Sequence, residues 1–210
     1  MFISNNNKTF TEDEKLDMIY NASVKYKEFM HALRIDVDND PNSKETPTRV
    51  AKMYVNELCK GRYDEKPPVK SFPNTEMYDQ MIFTNCQVTS LCAHHHVPIT
   101  SKVFIGVLSN PDPDSRLIGL SKYTRLAEWI GNRPTIQEDM TKQLHKEIND
   151  LCKDNLGVMI YVIGSHGCTV YRGVKQSNSK MVTSAISGNF KNNQSSKNEF
   201  MNMVNNVIWK

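Results

Sequence analysis

The sequence lacks the features of a membrane, secreted or nucleic-acid-binding protein. None of its apolar runs approaches the roughly 18 to 20 residues that a membrane-spanning helix needs. The Asn-rich stretch from Ser4 to Lys8 does not resemble a signal peptide. The net charge is only +3 and the basic residues are scattered, which argues against a nucleic-acid partner. We therefore expect a cytoplasmic protein that binds neither a membrane nor a nucleic acid.

The cysteines are too few, and odd in number, for a disulfide framework. The chain has five in 210 residues. Cys59, Cys86 and Cys152 lie in apolar helix or strand contexts, so we expect them to be packed thiols. Cys92 and Cys168 differ from these three because each lies beside histidine.

The stretch from Leu91 to Pro98 contains three of the six histidines, which begin two residues after a cysteine. Cys92 and His95 are three positions apart, a separation at which both side chains can bind one zinc ion. The alternative is a buried thiol next to polar histidines at a strand end. A second cluster, Ser165-His166-Gly167-Cys168, can supply a third ligand and another titratable ring. Three protein ligands without a fourth are typical of an open, catalytic zinc site.

The N-terminal third of the chain has a helical pattern. Thr11 and Glu14 form a capping box ahead of apolar residues at helical spacing, namely Leu16, Ile19, Tyr20, Val24, Met30 and Leu33. Thr46-Pro47 predicts a second helix, with Thr46 as its cap and Gly61 as its end. A proline-bearing connector then runs from Pro67 to Asn74. We predict a helical region at residues 1–74 and a second domain at residues 75–210.

The second domain mixes strand and helix patterns. Stretches rich in Ile, Val, Thr and Phe predict strands at Met81–Leu91, Lys102–Leu108, Gly157–Gly164 and Lys180–Ser187. Two helices, beginning at Ser121 and at Thr135, are predicted between the second and third strands. A polar joint at Asn192–Lys197 precedes a short helix at Phe200–Trp209. The Cys92 cluster then lies on a loop between two strands.

Several charged residues near predicted helix starts have two interpretations. Lys122 and Arg125 lie on one face near a helix N-terminus, which suits a phosphate, although a solvated face explains them as well. Arg49 lies in the first turn of its helix, where a cation is unfavourable unless an anion is near, and a solvated arginine is the simpler alternative. Glu138 stands three residues after Thr135, so it is either a capping-box partner or a carboxylate that accepts two N–H groups from a guanine edge.

Several separated segments together resemble GTP cyclohydrolase I, in order and at similar spacing. The similarity spans about Asp40 to Phe200 and is carried by Thr46–Tyr54, Leu91–His95, Gly119–Lys122, Gln137–Thr141, His166–Val174 and Asn178–Ser184. The resemblance implies an α+β protein with the tunnelling fold, an antiparallel four-stranded sheet with two helices on one face. It further implies pentameric barrels that stack as a decamer, with active sites at subunit interfaces.

The resemblance also implies roles for individual residues. It makes Cys92, His95 and Cys168 the zinc ligands, and His94 and His166 the acid/base rings. Gln137 and Glu138 would hold the guanine, with Ser121, Lys122, Arg125, Arg172 and Arg49 around the triphosphate. The chain departs from the family pattern at Ala93, where the family usually has glutamate, and at His96, where it usually has a bulky apolar residue.

The implied reaction is the zinc-dependent opening of the GTP imidazole ring in pterin biosynthesis, which releases formate and yields 7,8-dihydroneopterin triphosphate without a redox cofactor. Adding water at C8 and then hydrolysing a formamide needs a strong nucleophile and protons for the ring nitrogens. One alternative is the nitrile reductase of queuosine synthesis, which shares the fold but has no reason to keep Cys92, His95 and Cys168 together. The other is a non-catalytic purine- or pterin-binding relative, for which Ala93 argues and against which His94 and His166 argue.

Overall fold

The computed structural model describes residues 9–208, and the chain divides into two compact units between Glu65 and Lys66. The stretch from Ser4 to Lys8 and the predicted helix end at Trp209 lie outside the described residues. The assignment of a helical region to residues 1–74 and a catalytic domain to residues 75–210 stays a prediction. No helix among residues 9–208 combines the length and the apolar character needed to cross a membrane.

The first unit consists of helices. They are α1 (Glu12–Ala32), α2 (Thr46–Met53), a π-helical segment (Tyr54–Leu58) and α3 (Lys60–Tyr63). The predicted capping box is confirmed, since the Glu14 N–H donates to the Thr11 hydroxyl at 3.2 Å and the Thr11 N–H donates to the Glu14 carboxylate at 2.8 Å. Of the predicted apolar stripe of α1, Ile19 and Met30 are buried, whereas four members are exposed: Leu16, Tyr20, Val24 and Leu33. Ile19 packs in a small cluster with Ala51 and Val55, so only a narrow face of α1 is covered within this unit.

The bounds of the second helix differ slightly from the prediction. Thr46 is the first residue of α2 and Glu45 is its N-cap, with Pro47 in the first turn, so the predicted cap is one residue too late. Gly61 does not end the helical segment, because α3 continues to Tyr63.

The second unit is built on a five-stranded sheet. Its strands are β2 (Met81–Cys92), β3 (Pro98–Leu108), β5 (Pro134–Thr135), β6 (Gly157–His166) and β7 (Met181–Ile186), in the order β5-β2-β3-β6-β7. A separate antiparallel pair joins β1 (Ser71–Pro73) to β4 (Arg116–Ile118). The four long strands are antiparallel, as predicted, and the short β5 adds a parallel pairing at the end of β2.

Two helices cover one face of this sheet, which confirms the predicted arrangement. They are α4 (Leu120–Gly131) and α5 (Gln137–Leu151). Alternate residues of the strands point toward them, and Val103, Ile105 and Val107 of β3 are buried against Leu126 and Leu144. Burial raises the pKa of Cys86 and of Cys152 to about 11 each, which fits their predicted role as packed thiols.

The opposite face is covered by the C-terminal part of the chain, in which a short α6 (Gly167–Val170) follows β6, and α7 (Asn189–Asn192) and α8 (Gln194–Ile208) follow β7. Phe104 and Met159 of the sheet pack against Phe190 and Phe200. The predicted polar joint and late helix start are therefore wrong. Helix α8 begins at Gln194, six residues before Phe200, and it packs on this face through Phe200 and Val204.

Candidate active site

The register of the sheet brings the two predicted clusters to one edge. Ile99, near the start of β3, pairs with Ser90 of β2 on one side and with His166 of β6 on the other. Since β2 and β6 are both antiparallel to β3, they run in the same direction and end at the same edge. Cys92 lies two residues after Ser90 and Cys168 lies two residues after His166, so the two cysteines lie on either side of β3 at the same end of the sheet. We call this end of the sheet, marked by Cys92, Ile99 and His166, the ligand edge.

A tight loop holds the first cluster, as predicted from its position between two strands. The Cys92 N–H donates to the Val97 carbonyl at 2.9 Å, and the His96 N–H donates to the Cys92 carbonyl at 2.8 Å. His96 has a φ of 51°, in the left-handed region, which costs a non-glycine residue about 1 kcal/mol. The exposed ring of His94 lies edge-on to that of His95, with centroids 6.3 Å apart.

A glycine lets the second cluster approach this loop. A Cβ atom on Gly167 would lie 2.9 Å from the Pro98 carbonyl oxygen and 3.4 Å from Cβ of Val97. Cys168 follows at once in α6, where the Thr169 hydroxyl donates to the His166 carbonyl at 2.9 Å. The absence of a side chain at Gly167 thus brings Cys168 toward Cys92.

The three predicted ligands meet at the ligand edge. The ligand atoms of Cys92, His95 and Cys168 all lie within 4.8 Å of one another. Burial, and then the adjacent Cys92 thiol, raise the pKa of Cys168, and both cysteines are free thiols. Two sulfurs and an imidazole nitrogen this close form a donor set that suits a borderline-soft divalent ion. The three residues therefore form a candidate metal site.

Arg172 contacts this cluster directly. Its Nη1 donates to Nε2 of His95 at 2.9 Å, and its side chain is otherwise exposed in the segment that follows α6. The predicted phosphate-binding arginine is thus adjacent to a predicted metal ligand. A neutral imidazole has one lone pair, so His95 can accept from Arg172 or bind a metal, but not both at once.

His166 is held by a buried amide. Its Nε2 lies 2.8 Å from Oε1 of Gln137, the first residue of α5, which is only 1% exposed. Burial lowers the pKa of His166, and the charge of Glu138 acts in the opposite direction. The ring is therefore biased toward its neutral form.

Glu138 is exposed beside the buried Gln137. The capping-box alternative for Glu138 is wrong, because α5 begins two residues later than predicted and its N-cap is Ile136, which has no capping side chain. Thr135 belongs instead to β5, where it pairs with Cys92. Within residues 9–208 the Glu138 carboxylate makes no hydrogen bond or ion pair, so it can accept hydrogen bonds from a ligand.

The remaining predicted phosphate ligands lie on two helices. Ser121 and Arg125 are exposed on α4, and Lys122 is half-buried there. Ser121 is not the cap of α4, since Gly119 is the N-cap and no side chain caps it. Arg49 lies in the first unit, where it faces Glu45 across 3.6 Å in an exposed ion pair.

Sequence reasoning missed the residues that hold Gln137. Thr183 of β7 and Thr141 of α5 bond to one another and to Gln137, and Gly164 of β6 makes room for its amide. The only sequence signal was the four-residue spacing of Gln137 and Thr141, which places both on one face of a helix.

The chain is similar to known proteins over most of its length. Residues 22–205 match the family model of GTP cyclohydrolase I. The GTP cyclohydrolase 1 of Wigglesworthia glossinidia brevipalpis is 35% identical over 92% of this chain and 88% of its own length. Those of Yersinia pseudotuberculosis and Blochmanniella pennsylvanica are each 32% identical, over 84% and 83% of this chain and 79% and 77% of their own lengths.

A solved structure, that of archaeosine synthase QueF-Like, matches with a TM-score of 0.42 and 10% identity, over 53% of this chain and 96% of its own. That likeness is too slight to bear on function. The family model and the curated relatives each span most of the chain, and we conclude that this chain belongs to the GTP cyclohydrolase I family.

Proposed function

We propose that this protein opens the imidazole ring of GTP by hydrolysis, releases formate and forms 7,8-dihydroneopterin triphosphate. The observation that carries the proposal is the convergence of Cys92, His95 and Cys168 at the ligand edge, with His94 and His166 beside them, in a member of this family. A non-catalytic relative would have no use for two histidines next to a metal site.

The metal that we propose is zinc, held by Cys92, His95 and Cys168. Two thiolates and one imidazole are a donor set that zinc favours, and three protein ligands leave a coordination position open. A bound zinc ion supplies a strong nucleophile at neutral pH, because it lowers the pKa of water toward about 7.

We assign the proton transfers to His94 and His166. Opening the ring requires protons at the nitrogens that leave carbon C8, and a positioned imidazole contributes roughly 10²- to 10⁴-fold to such a step. His94 is exposed and adjacent to His95, whereas His166 is half-buried against Gln137. The ring of His94 is open to solvent, whereas the ring of His166 is held in one orientation by Gln137.

We assign substrate binding to exposed charges, of which Glu138 and Arg172 lie at the ligand edge. Glu138 would accept from N1–H and from the exocyclic amine of guanine, a pair of donors that adenine does not offer. The family pattern also assigns Gln137 to the guanine site, but in this chain its amide is 1% exposed and engaged within the protein. The same pattern places Ser121, Lys122, Arg125, Arg172 and Arg49 around the triphosphate. Arg172 lies beside His95, and a metal bound by His95 would displace that contact and leave the guanidinium free to bind phosphate.

We also propose that the protein works as a cytoplasmic homo-oligomer, a decamer of two pentamers. Strand β7 is the edge strand on one side of the sheet. On the other side, the short β5 pairs only with Leu91 and Cys92 of β2. Long sheet edges left unpaired within one chain are commonly covered by another copy.

One assay tests the proposed reaction. Zinc-loaded protein incubated with GTP should release formate and produce a fluorescent pterin after oxidation, whereas ATP should yield neither product. Formation of neither product from GTP, by protein with a full complement of zinc, would contradict the proposal and favour a purine- or pterin-binding role.

A further inference from the structure

The amide of Gln137 is surrounded by polar partners in the interior of the protein. Its Nε2 lies 3.3 Å from the Val162 carbonyl oxygen, 3.1 Å from the Met181 carbonyl oxygen and 3.0 Å from the Thr183 hydroxyl. Its Oε1 lies 2.8 Å from Nε2 of His166. The side chain is therefore enclosed by β6 and β7 on one side and by the catalytic histidine on the other.

These partners permit only one orientation of the amide. Backbone carbonyls accept hydrogen bonds and never donate them, so the amide NH₂ group must face Val162 and Met181. Reversing the amide would bring its oxygen against two carbonyl oxygens in a buried setting, where unpaired acceptors are costly. The carbonyl oxygen of the amide therefore points at His166.

A closed series of hydroxyl bonds supports this orientation. The Thr141 hydroxyl donates to the backbone carbonyl of Gln137 at 2.7 Å, so it can only accept from the Thr183 hydroxyl, also at 2.7 Å. Having given its own hydrogen to Thr141, Thr183 must accept from Nε2 of Gln137. The two hydrogens of Nε2 are shared among three acceptors, each hydroxyl hydrogen has one acceptor, and no member of the series can be reversed alone.

The consequence falls on His166. An amide oxygen can only accept, so Nε2 of His166 must carry a hydrogen, and in the neutral ring the lone pair then lies on Nδ1. Among the described residues Nδ1 has no hydrogen-bond partner. We propose that Gln137 is a positioning residue that fixes His166 in its Nε2–H tautomer, which leaves Nδ1 as the nitrogen that exchanges protons with the substrate.

The residues around Gln137 leave space for its contact with His166. A Cβ atom on Gly164 would lie 2.0 Å from Oε1 of Gln137, so glycine is needed for the amide to reach His166. Gln137 is 1% exposed and its two amide hydrogens are engaged, which leaves the guanine edge to its exposed neighbour Glu138. The role in catalysis rests on the proposed function, whereas the position of the hydrogen on His166 does not.

The first test reads the tautomer without substrate. Zinc-loaded protein labelled with ¹⁵N-histidine and ¹³C-glutamine is sedimented for solid-state NMR, and the His166 signals are identified by their loss in His166→Asn. We expect a protonated Nε2, an unprotonated Nδ1 and a through-space contact from Nε2 to Cδ of Gln137. A neutral ring protonated at Nδ1, or a ring without that contact, would overturn the proposal even if the protein turned over GTP.

The second test separates positioning from guanine binding. Gln137→Met keeps the length of the side chain but removes the acceptor, and we expect kcat to fall at least about 10-fold while KM for GTP changes less than about threefold. A raised KM with unchanged kcat would return Gln137 to the guanine site and overturn the proposal. The matched control is Val158→Ala at the opposite end of β6, which loses buried contacts without touching the amide. If Val158→Ala lowers kcat as much at equal thermal stability, the effect of Gln137→Met is only structural.

Discussion

Two groups of side chains meet at the ligand edge and are held in opposite ways. Gln137, Thr141 and Thr183 form a closed hydrogen-bonded group in the interior, with His166 at its border. His94, His95, Glu138 and Arg172 are exposed and make few contacts with the rest of the chain. The interior group fixes the orientation of the His166 ring. The exposed group has few partners within this chain, so its polar atoms are available to a metal or a substrate.

The contrast predicts two different responses to substitution. Changing an interior residue leaves buried partners unsatisfied, so stability and activity should fall together. Changing an exposed residue removes a contact that forms only with metal or substrate, so activity or affinity should fall while stability stays nearly constant. The predictions below test this separation.

The largest effect is expected at the exposed metal ligand. His95→Ala should abolish zinc binding, which we expect at about one ion per subunit, and reduce activity to background, while the thermal midpoint of unfolding hardly changes. The reason is that the strands are formed by their own pairing and do not need the metal to fold. Elemental analysis and thermal unfolding are measured together, with His31→Ala as the control for loss of an exposed histidine.

Cys168→Ala should behave in the same way, although its side chain is half-buried. A variant that bound no zinc and also failed to fold would show that the metal stabilises the ligand edge. The proposed separation between the two groups would then be wrong at this position.

The next largest effect is expected at Glu138. Glu138→Gln replaces an acceptor by a donor opposite the guanine N–H groups, which should weaken GTP binding by about 2 to 3 kcal/mol. Because the carboxylate has no partner among the described residues, stability should remain within about 0.5 kcal/mol of the wild type. Asp150→Asn, an exposed acid near the far end of α5, is the matched control. A lowered thermal midpoint with an unchanged preference for GTP over ATP would contradict this role.

Gly164→Ala should break the interior group without altering any polar atom. The added methyl would overlap Oε1 of Gln137, so the amide must move away from His166. Overpacking of this kind costs about 1 to 3 kcal/mol of stability, and kcat should fall with it. Chemical denaturation and steady-state kinetics measure both, with Val158→Ala as the control for a packing change in β6 away from the amide. Unchanged kcat in Gly164→Ala would mean that the amide does not control His166.

The two groups also differ in how far the sequence reveals them. Cys92 and His95 could be predicted from their spacing because metal ligands are few in kind, and the resemblance to the family singled out Cys168 in the second cluster. The strand cores and the two covering helices were likewise predictable from periodicity, as at Val103, Ile105 and Val107.

The interior group was not predictable, because it depends on the register between strands. Thr183 reaches Gln137 only because Val162 pairs with Thr183, and the sequence does not indicate which residue of β7 faces which residue of β6. The start of α5 was misplaced for a similar reason, since the pairing of Thr135 with Cys92 draws Pro134 and Thr135 into an extended conformation. Propensity and capping patterns describe the local chain and omit such tertiary contacts.

The smallest effect is expected at Lys122, which is half-buried near the N-terminus of α4. If the first turn of α4 binds phosphate, Lys122→Gln should weaken GTP binding by about 1 to 1.5 kcal/mol, and the loss should shrink at high salt because screening weakens the contact. Guanosine binding, zinc content and stability should not change. Lys142→Gln removes an exposed cation from α5 and controls for net charge. Equal binding of GTP and guanosine by the wild type would contradict a phosphate site at α4, whereas a loss confined to GTP would show that an exposed residue contributes to affinity without contributing to the fold.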